Sequence, residues 1–365
     1  MKDYNIKRFI ECLLPITVCN LKCSYCYIMQ RNMRNMQIAK LPYSPEQIGQ
    51  ALNQKRWGGK CYFSICGAGE TTLQPQLPDI VFYILQQGHC VNITTNGTIT
   101  KQLLAILDRA APYIERLHIS FSLHYLELQR LHLLDTFFTN FQTCQKRGAS
   151  VLLQFNMCDE YIPYLQDIQK ICLEKAGAYP QIAATRKEAN DLKKIELLSS
   201  YSAEQYHALG KDFHSPLFDF TMQNFNVKRR EFCYAGDWGG VLNLSTGIFK
   251  RCYESHIFQN IFKNPEKPIR FLAIGKGCQS PFCMNSSHFM SLGIIPELNT
   301  PTYAVLRNRS QAKWYTPVME KILSSKLQQS NLPYGNYKKC LSNIVAQLDI
   351  FITTLHRQYR KWRKR

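Results

Sequence analysis

The sequence predicts an α/β fold, a partial (β/α)6 barrel of parallel strands. Apolar, β-branched runs alternate with stretches of helical periodicity through the first half of the chain, which is the sequence form of repeated β-α units. Polar and glycine-rich punctuation follows the first runs, where ligands collect at the carboxyl ends of the strands in parallel α/β folds. With 365 residues and 45% hydrophobic content, the chain is long enough for about two domains and a sizeable core.

Taken in order, strands are expected at 9–18, 61–66, 90–95, 116–123, 150–156 and 181–185. Helical stretches intervene at 45–55, 78–87, 101–114, 134–146 and 161–175, giving six strands and five crossovers. Between 185 and 230 the pattern weakens into mixed polar, aromatic and basic residues, which reads as a linker. The expected organisation is a barrel over 1–200, a small cysteine-bearing unit over 225–295 and a basic helical region over 300–365.

Fifteen cysteines in a long chain without a convincing export signal argue against a secreted disulfide scaffold. The apolar run 9–18 is broken by Glu11 and Pro15 and leads into a cysteine motif, so it reads as a buried first strand and not as a signal peptide. No run approaches the ~18 apolar residues of a membrane span, and a reducing cytoplasm is the expected location. The net charge of +19 is uneven: from Arg307 to Arg365, thirteen Lys and Arg stand against Glu320 and Asp349. Such a region would attract an acidic partner.

The chemistry gathers at Cys19, Cys23 and Cys26, spaced C-x3-C-x2-C directly after the first strand. Thiolates select iron–sulfur clusters or zinc over hard cations. Closed zinc sites and simple electron-transfer clusters use four protein ligands, and the next cysteine, Cys61, lies on another element. A cubane on these three thiols would leave one iron open to a chelator. The segment CNLKCSYCY closely resembles the signature of the radical S-adenosylmethionine (SAM) enzymes, including Tyr25 before the third cysteine. The resemblance implies a [4Fe-4S] cluster that binds SAM. Gly67-Ala68-Gly69-Glu70, after the second strand, resembles the Gly-Gly-Glu element with which those enzymes hold the amino group of SAM. Ala68 replaces the second glycine and Thr71 stands where a proline is common. Ser120, Ser122 and His124 alternate on the fourth strand and are expected to face the barrel interior, toward ribose or substrate. Asn96 opens an Asn-Gly turn and reads either as a cap or as a ligand contact.

A second cysteine set follows at Cys233, Cys252, Cys278 and Cys283. Residues 241–252 read as a hairpin turned by Gly247, which brings Cys233 and Cys252 to one end. The C-x13-G-x4-C element resembles the start of the SPASM and twitch extensions behind radical SAM barrels. That resemblance implies one auxiliary [4Fe-4S] cluster, with structural zinc as the alternative occupant of the same thiols. An oxidation would need a base, and Asp237 and Glu254 are the candidates beside this set. In related sulfatase-maturing enzymes an acid directly follows the second cysteine, whereas Tyr253 stands there in this chain.

Apolar residues from Leu341 to Trp362 recur every three or four positions, so an amphipathic helix closes the chain with a basic end. It reads either as a packed terminal helix or as a docking surface for an acidic partner. The expected function is reductive cleavage of SAM to a 5′-deoxyadenosyl radical and hydrogen abstraction from a peptide or protein substrate. A small sugar or cyclitol is the alternative substrate, and flavodoxin or ferredoxin the kind of electron donor. A non-catalytic iron–sulfur or nucleic-acid-binding protein is the reading from another class.

Overall fold

Each of the six expected runs forms a strand, and the first shows what sets its length. β1 (Arg8–Leu14) stops one residue before Pro15, which has no N–H to give to a ladder. β2 (Cys61–Gly67), β3 (Cys90–Thr95), β4 (Leu117–Ser122), β5 (Ser150–Met157) and β6 (Gln181–Ala184) follow in sheet order, all parallel. The structure, a computed structural model, describes residues 4–36, 38, 40–188, 196–253, 255–276, 278, 280, 282–283 and 286–362. The crossovers are the helices Pro45–Ala51, Leu77–Gln86, Thr100–Ala110, Leu134–Lys146 and Leu165–Ala176. Ser44 and Gln47 form a capping box that starts the first of these.

Residues in register on neighbouring strands share a face, and the two faces differ sharply. Ile10, Phe63, Val91, Ile93, Ile119 and Val151 are fully buried on the face turned to the helices. The other face carries Glu11, Ser64, Asn92, His118, Ser120, Ser122 and Gln154, a polar file along the barrel interior. Asn92 donates to Ser64 at 3.2 Å and accepts from Ser120 at 2.8 Å, so this file is stitched across three strands.

The stretch after β6 is not a linker. It contains the two-residue strands β7 (Arg186–Lys187) and β8 (Glu196–Leu197), then helices Ala203–Leu209 and Pro216–Gln223. Ser215 Oγ caps the second helix, accepts from the backbone of Ile182 at 3.0 Å and donates to Gln181 at 2.6 Å. One hydroxyl thereby fastens this helix to β6. Its apolar pattern is short and interrupted by polar residues, which hid it in the sequence.

The expected hairpin forms as β9 (Gly239–Asn243) and β10 (Ile248–Lys250), with Gly247 at φ 68° in the turn, and β11 (Phe258–Asn260) pairs beyond it. β9 runs parallel to β1, with Glu11 opposite Val241. The barrel strands and the second cysteine region therefore share one nine-stranded sheet, ordered β11-β10-β9-β1-β2-β3-β4-β5-β6. Arg8, at the start of β1, meets Asp237, just before β9, in a buried ion pair at 2.9 Å, and Tyr334 donates its hydroxyl to the same carboxylate. Further along the chain, Trp314 accepts from the backbone of Val151 at 2.8 Å and gives its indole N–H to the carbonyl of Ala176 at 2.9 Å. These bonds hold the C-terminal region beneath the start of β5.

The terminal helix, Asn336–Trp362, packs by its polar and small side. Ser342 and Ala346 are buried, and the carboxylate of Asp349 accepts from Ser255 Oγ at 2.6 Å and from the backbone of His256 at 2.9 Å. Ile344, Leu348 and Phe351 are each more than half exposed. The basic end of this helix lies outside the described residues as far as the side chains of Arg357, Arg360 and Lys361 and the whole of residues 363–365 are concerned. No helix among the described residues is long and apolar enough to cross a membrane.

Breaking a buried ion pair by removing one partner leaves the other charge stranded. Asp237→Ala is expected to lower unfolding stability by about 3–5 kcal/mol, read as a shift of the urea midpoint. A midpoint within error of the parent protein would show that Arg8 and Asp237 do not pin β9 to β1.

Candidate active site

One cavity of about 430 Å³ opens at the carboxyl ends of the barrel strands. Cys19, Cys23 and Cys26, the whole loop from Gly67 to Glu70, Asn96 and His124 all line it, and so does Cys283 of the second set. Sequence-predicted residues from five parts of the chain thus meet at one mouth.

Close approach brings the two loops together. Gly69 donates its N–H to the carbonyl of Ile16 at 2.6 Å and Glu70 to that of Val18 at 2.9 Å, extending the pairing of β1 and β2 beyond both strands. A Cβ on Gly69 would stand 2.0 Å from the oxygen of Val18, so only glycine fits there. The N–H of Gly67 is taken by Thr71 Oγ1 at 2.9 Å. The N–H groups of Gly67, Gly69 and Glu70 are therefore spent within the fold.

Glu70 is 2% exposed. Its carboxylate accepts from the hydroxyl of Thr95 at 2.6 Å, the backbone of Asn96 at 2.7 Å, the backbone of Thr72 at 2.9 Å and the hydroxyl of Thr72. Burial raises its pKa, and these hydrogen bonds oppose the rise. Glu70 is therefore a clamp between the ends of β2 and β3. Asn96 is a turn residue that also reaches the cysteine loop. Its Oδ1 accepts from the backbone and hydroxyl of Thr98, as a turn residue does, while its Nδ2 reaches Asn20 Oδ1 at 2.8 Å and Cys19 Sγ at 3.8 Å.

Cys19 and Cys23 sit in a setting that disfavours free thiolate. Burial pushes Cys19 up to about 11, with Glu70 and Cys26 adding repulsion and the N–H of Leu21 opposing it from 3.4 Å. Cys23 is raised still further by burial and by Cys19. A cation bound among them would reverse this balance, because metal-bound thiols are deprotonated. In the second set, burial raises Cys233 far above the ordinary thiol value, and Cys278, Cys252 and Cys283 all contribute repulsion. The four predicted thiols are thus neighbours. Among the described residues, no three His, Cys, Asp or Glu side chains converge into a finished ligand cage. The donor set of each group, several partly buried soft thiols close enough to interact, fits a thiophilic metal centre.

His124 faces the cavity from the N-terminal end of helix Tyr125–Arg130, not from β4. Its Nδ1 bonds the hydroxyl of Tyr25 at 2.6 Å, and Tyr25 in turn meets Tyr161 at 3.1 Å. The residue preceding Cys26 is thereby anchored to the barrel. Ser120 lies deeper, spent on Asn92, and neither Ser120 nor Ser122 lines the cavity. Asp237 stands at the amino end of β9, away from the mouth, with its carboxylate engaged by Arg8 and Tyr334. A structural clamp is what that position demands, so it is not placed to act as the base. Glu254 lies outside the described residues.

Several lining residues escaped the sequence reading. Gln154 and Asn156 continue on β5 the period-two polar file seen on β4, a signal that was available. Leu217 and Thr221 come from the helix taken for a linker, and His288 and Arg307 from regions with no local pattern.

The comparisons with known proteins bear on this cavity. Residues 13–148 match the family model of the Radical SAM superfamily. The matched segment runs from the end of β1 through the cysteine loop, the Gly67–Glu70 loop and β4. No curated protein sequence matches the chain. Among solved structures, the chain is similar to Streptococcus suis SuiB bound to S-adenosylmethionine, with a TM-score of 0.47, 16% identity, and coverage of 70% of this chain and 64% of that one. It is also similar to anSMEcpe with bound AdoMet, with a TM-score of 0.49, 14% identity, and coverage of 71% and 79%. The chain thus spans somewhat less than two thirds of the SuiB length.

Burial lowers the His124 pKa to about 4, below the ordinary 6.5, with Glu127 opposing the shift. The unfolded chain then binds the extra proton between these values, so the stabilisation is complete above about pH 6.5 and is lost as pH falls toward 4. His89, lowered to about 4 by burial, acts in the same sense. The urea midpoint is expected to drop from pH 7 to pH 5, and His124→Gln to make that drop shallower; an equal drop in the variant would remove His124 from the effect.

Proposed function

We propose that the protein is a radical SAM enzyme in which Cys19, Cys23 and Cys26 hold a [4Fe-4S] cluster that binds SAM, and Cys233, Cys252, Cys278 and Cys283 hold an auxiliary [4Fe-4S] cluster. The observation that carries this reading is that one cavity touches the first thiols, the Gly67–Glu70 loop and Cys283, in a chain whose residues 13–148 match the superfamily. When bound, the cluster and SAM supply a 5′-deoxyadenosyl radical that takes a hydrogen atom from the substrate. A one-electron donor such as flavodoxin or ferredoxin would supply the reducing electron.

The chain's own residues do the positioning. The carbonyl oxygens around Gly67 to Gly69 are the groups suited to the ammonium of SAM, because the neighbouring N–H groups are already bonded. Glu70 acts one step back, holding β2 and β3 in register at the mouth. Asn96 and the backbone of Leu21 aim N–H groups at Cys19 sulfur, which suits a sulfur carrying negative charge. Tyr25, His124 and Tyr161 fix the loop that carries Cys23 and Cys26.

The substrate reading is a peptide or protein residue, oxidised, epimerised or cross-linked. It is supported by the size of the cavity and by its charge. Arg34, Arg186 and Arg307 line it, while its carboxylates are already engaged, Glu70 as described and Glu188 with Arg31 Nε at 2.7 Å. The acidic partner proposed for the basic terminal helix belongs to the same reading.

Protein purified without oxygen is expected to hold about eight irons per chain and no zinc; one zinc and about four irons would remove the second cluster. Incubation with SAM and dithionite should release 5′-deoxyadenosine. Cys26→Ala should abolish that release, whereas Cys283→Ala should keep part of it and lose the full reaction. Equal loss in both variants would undo the division of roles between the two thiol sets.

A further inference from the structure

Arg307 is 1% exposed, yet it belongs to the lining of the cavity. It ends the helix Tyr303–Arg307, whose backbone is fixed beneath β6 by Gln181 Nε2 on the Arg307 carbonyl at 3.2 Å. One face of its guanidinium lies 3.9 Å from the ring centre of Tyr303. Its Nη1 is buried with no hydrogen-bond partner.

A buried guanidinium with an unmet donor carries a large desolvation cost unless an anion meets it. Among the described residues, the titratable groups that feel its charge do not supply one. His118 and His288 are both pushed below their ordinary range, chiefly by burial and then by Arg307 itself, so they are neutral. Tyr303 and Tyr315 are raised by burial and stay protonated. Glu11 lies on the same interior face, but it accepts from the thiol of Cys66 at 3.2 Å. Arg307 is thus a buried positive charge with one unmet donor, in the wall of a cavity that a ligand can enter.

Its position separates it from the proposed SAM loop. Arg307 lies over Tyr303, whose ring is 6.0 Å from that of Tyr62 near the start of β2, and its carbonyl bonds Gln181, which opens β6, so it stands at the amino ends of the strands. Gly67 to Glu70 lie at the opposite, carboxyl end of β2. A molecule held at both places spans the barrel interior.

We propose that Arg307 forms a carboxylate-binding subsite at the floor of the cavity, which takes a side-chain or terminal carboxylate of the peptide substrate. A planar guanidinium stacked on Tyr303 presents its remaining edge in the geometry that suits a carboxylate. The subsite rests on the reading of this cavity as the substrate site. It extends that reading by naming the substrate group that is bound.

The test uses cluster-loaded protein saturated with SAM, so that SAM's own carboxylate cannot be the ligand observed. It is titrated by calorimetry with three probes: N-acetyl-glutamate α-amide, N-acetyl-alanine with a free C-terminus, and neutral N-acetyl-glutamine α-amide. At least one carboxylate is expected to bind roughly tenfold or more tighter than the neutral probe, and which one does so tells a side-chain from a terminal carboxylate. Arg307→Gln should erase the preference and Arg307→Lys should keep part of it. Should the Gln variant fail to fold, hydrogen exchange over 303–307 in the parent protein gives the same answer, slowed by the preferred carboxylate and not by the amide. No preference for carboxylate, a preference that survives Arg307→Gln, or unchanged exchange over 303–307 would overturn the subsite. SAM binding is measured on the same preparation before the probes are added. SAM bound without carboxylate preference removes the subsite alone, whereas carboxylate preference in protein that fails to bind SAM removes the radical SAM reading and leaves the anion site standing.

Discussion

The structure depends on β1 being paired on both sides. Its partner on one edge, β2, ends in the Gly67–Glu70 loop, and its partner on the other, β9, leads into the hairpin that carries Cys252. β1 itself runs straight into Cys19. Three loops that would otherwise belong to separate parts of the chain are thus hung from one strand, and the buried pair of Arg8 and Asp237 holds the unusual edge in place. Cys283 of the second set lines the same cavity as the first thiols, on a sheet that this pairing makes continuous.

Much of the barrel could be read in advance because its signals are local. Six apolar runs gave six strands, and alternation on β4 showed which side faces inward. The cysteine spacing and the glycines at 67 and 69 marked the mouth, since a thiol triplet and a close backbone approach each leave a short-range trace in the sequence. What failed was longer in range. The helix Pro216–Gln223 is fastened to β6 through its cap Ser215 and buries only Leu217, Phe218 and Phe220, a run too short to announce it. Asp237 looked like a base because it stood near Cys233 in sequence, yet the turn after Tyr234 carries it toward Arg8 at the other end of the sheet. Arg307 was counted with a basic tail to which it is adjacent only along the chain.

The terminal helix is a case in which periodicity was right and its interpretation incomplete. An apolar stripe ordinarily marks the buried side of a helix. In this chain the carboxylate of Asp349 and the side chain of Asn343 reach the second cysteine region, and the polar side becomes the attached one. A few directed hydrogen bonds have chosen the face, leaving Ile344, Leu348 and Phe351 turned outward.

The pairing of β1 with β9 also sets an order in time. Arg8 and Asp237 are 229 residues apart in sequence, so during synthesis the free edge of the first strand waits until most of the chain has been made. Contacts of such long range form late and slowly. The Cys19–Cys26 loop, already translated, spends that interval attached to a strand with one side open. The first strand of a nascent chain is therefore open on that side until β9 arrives and completes the pairing.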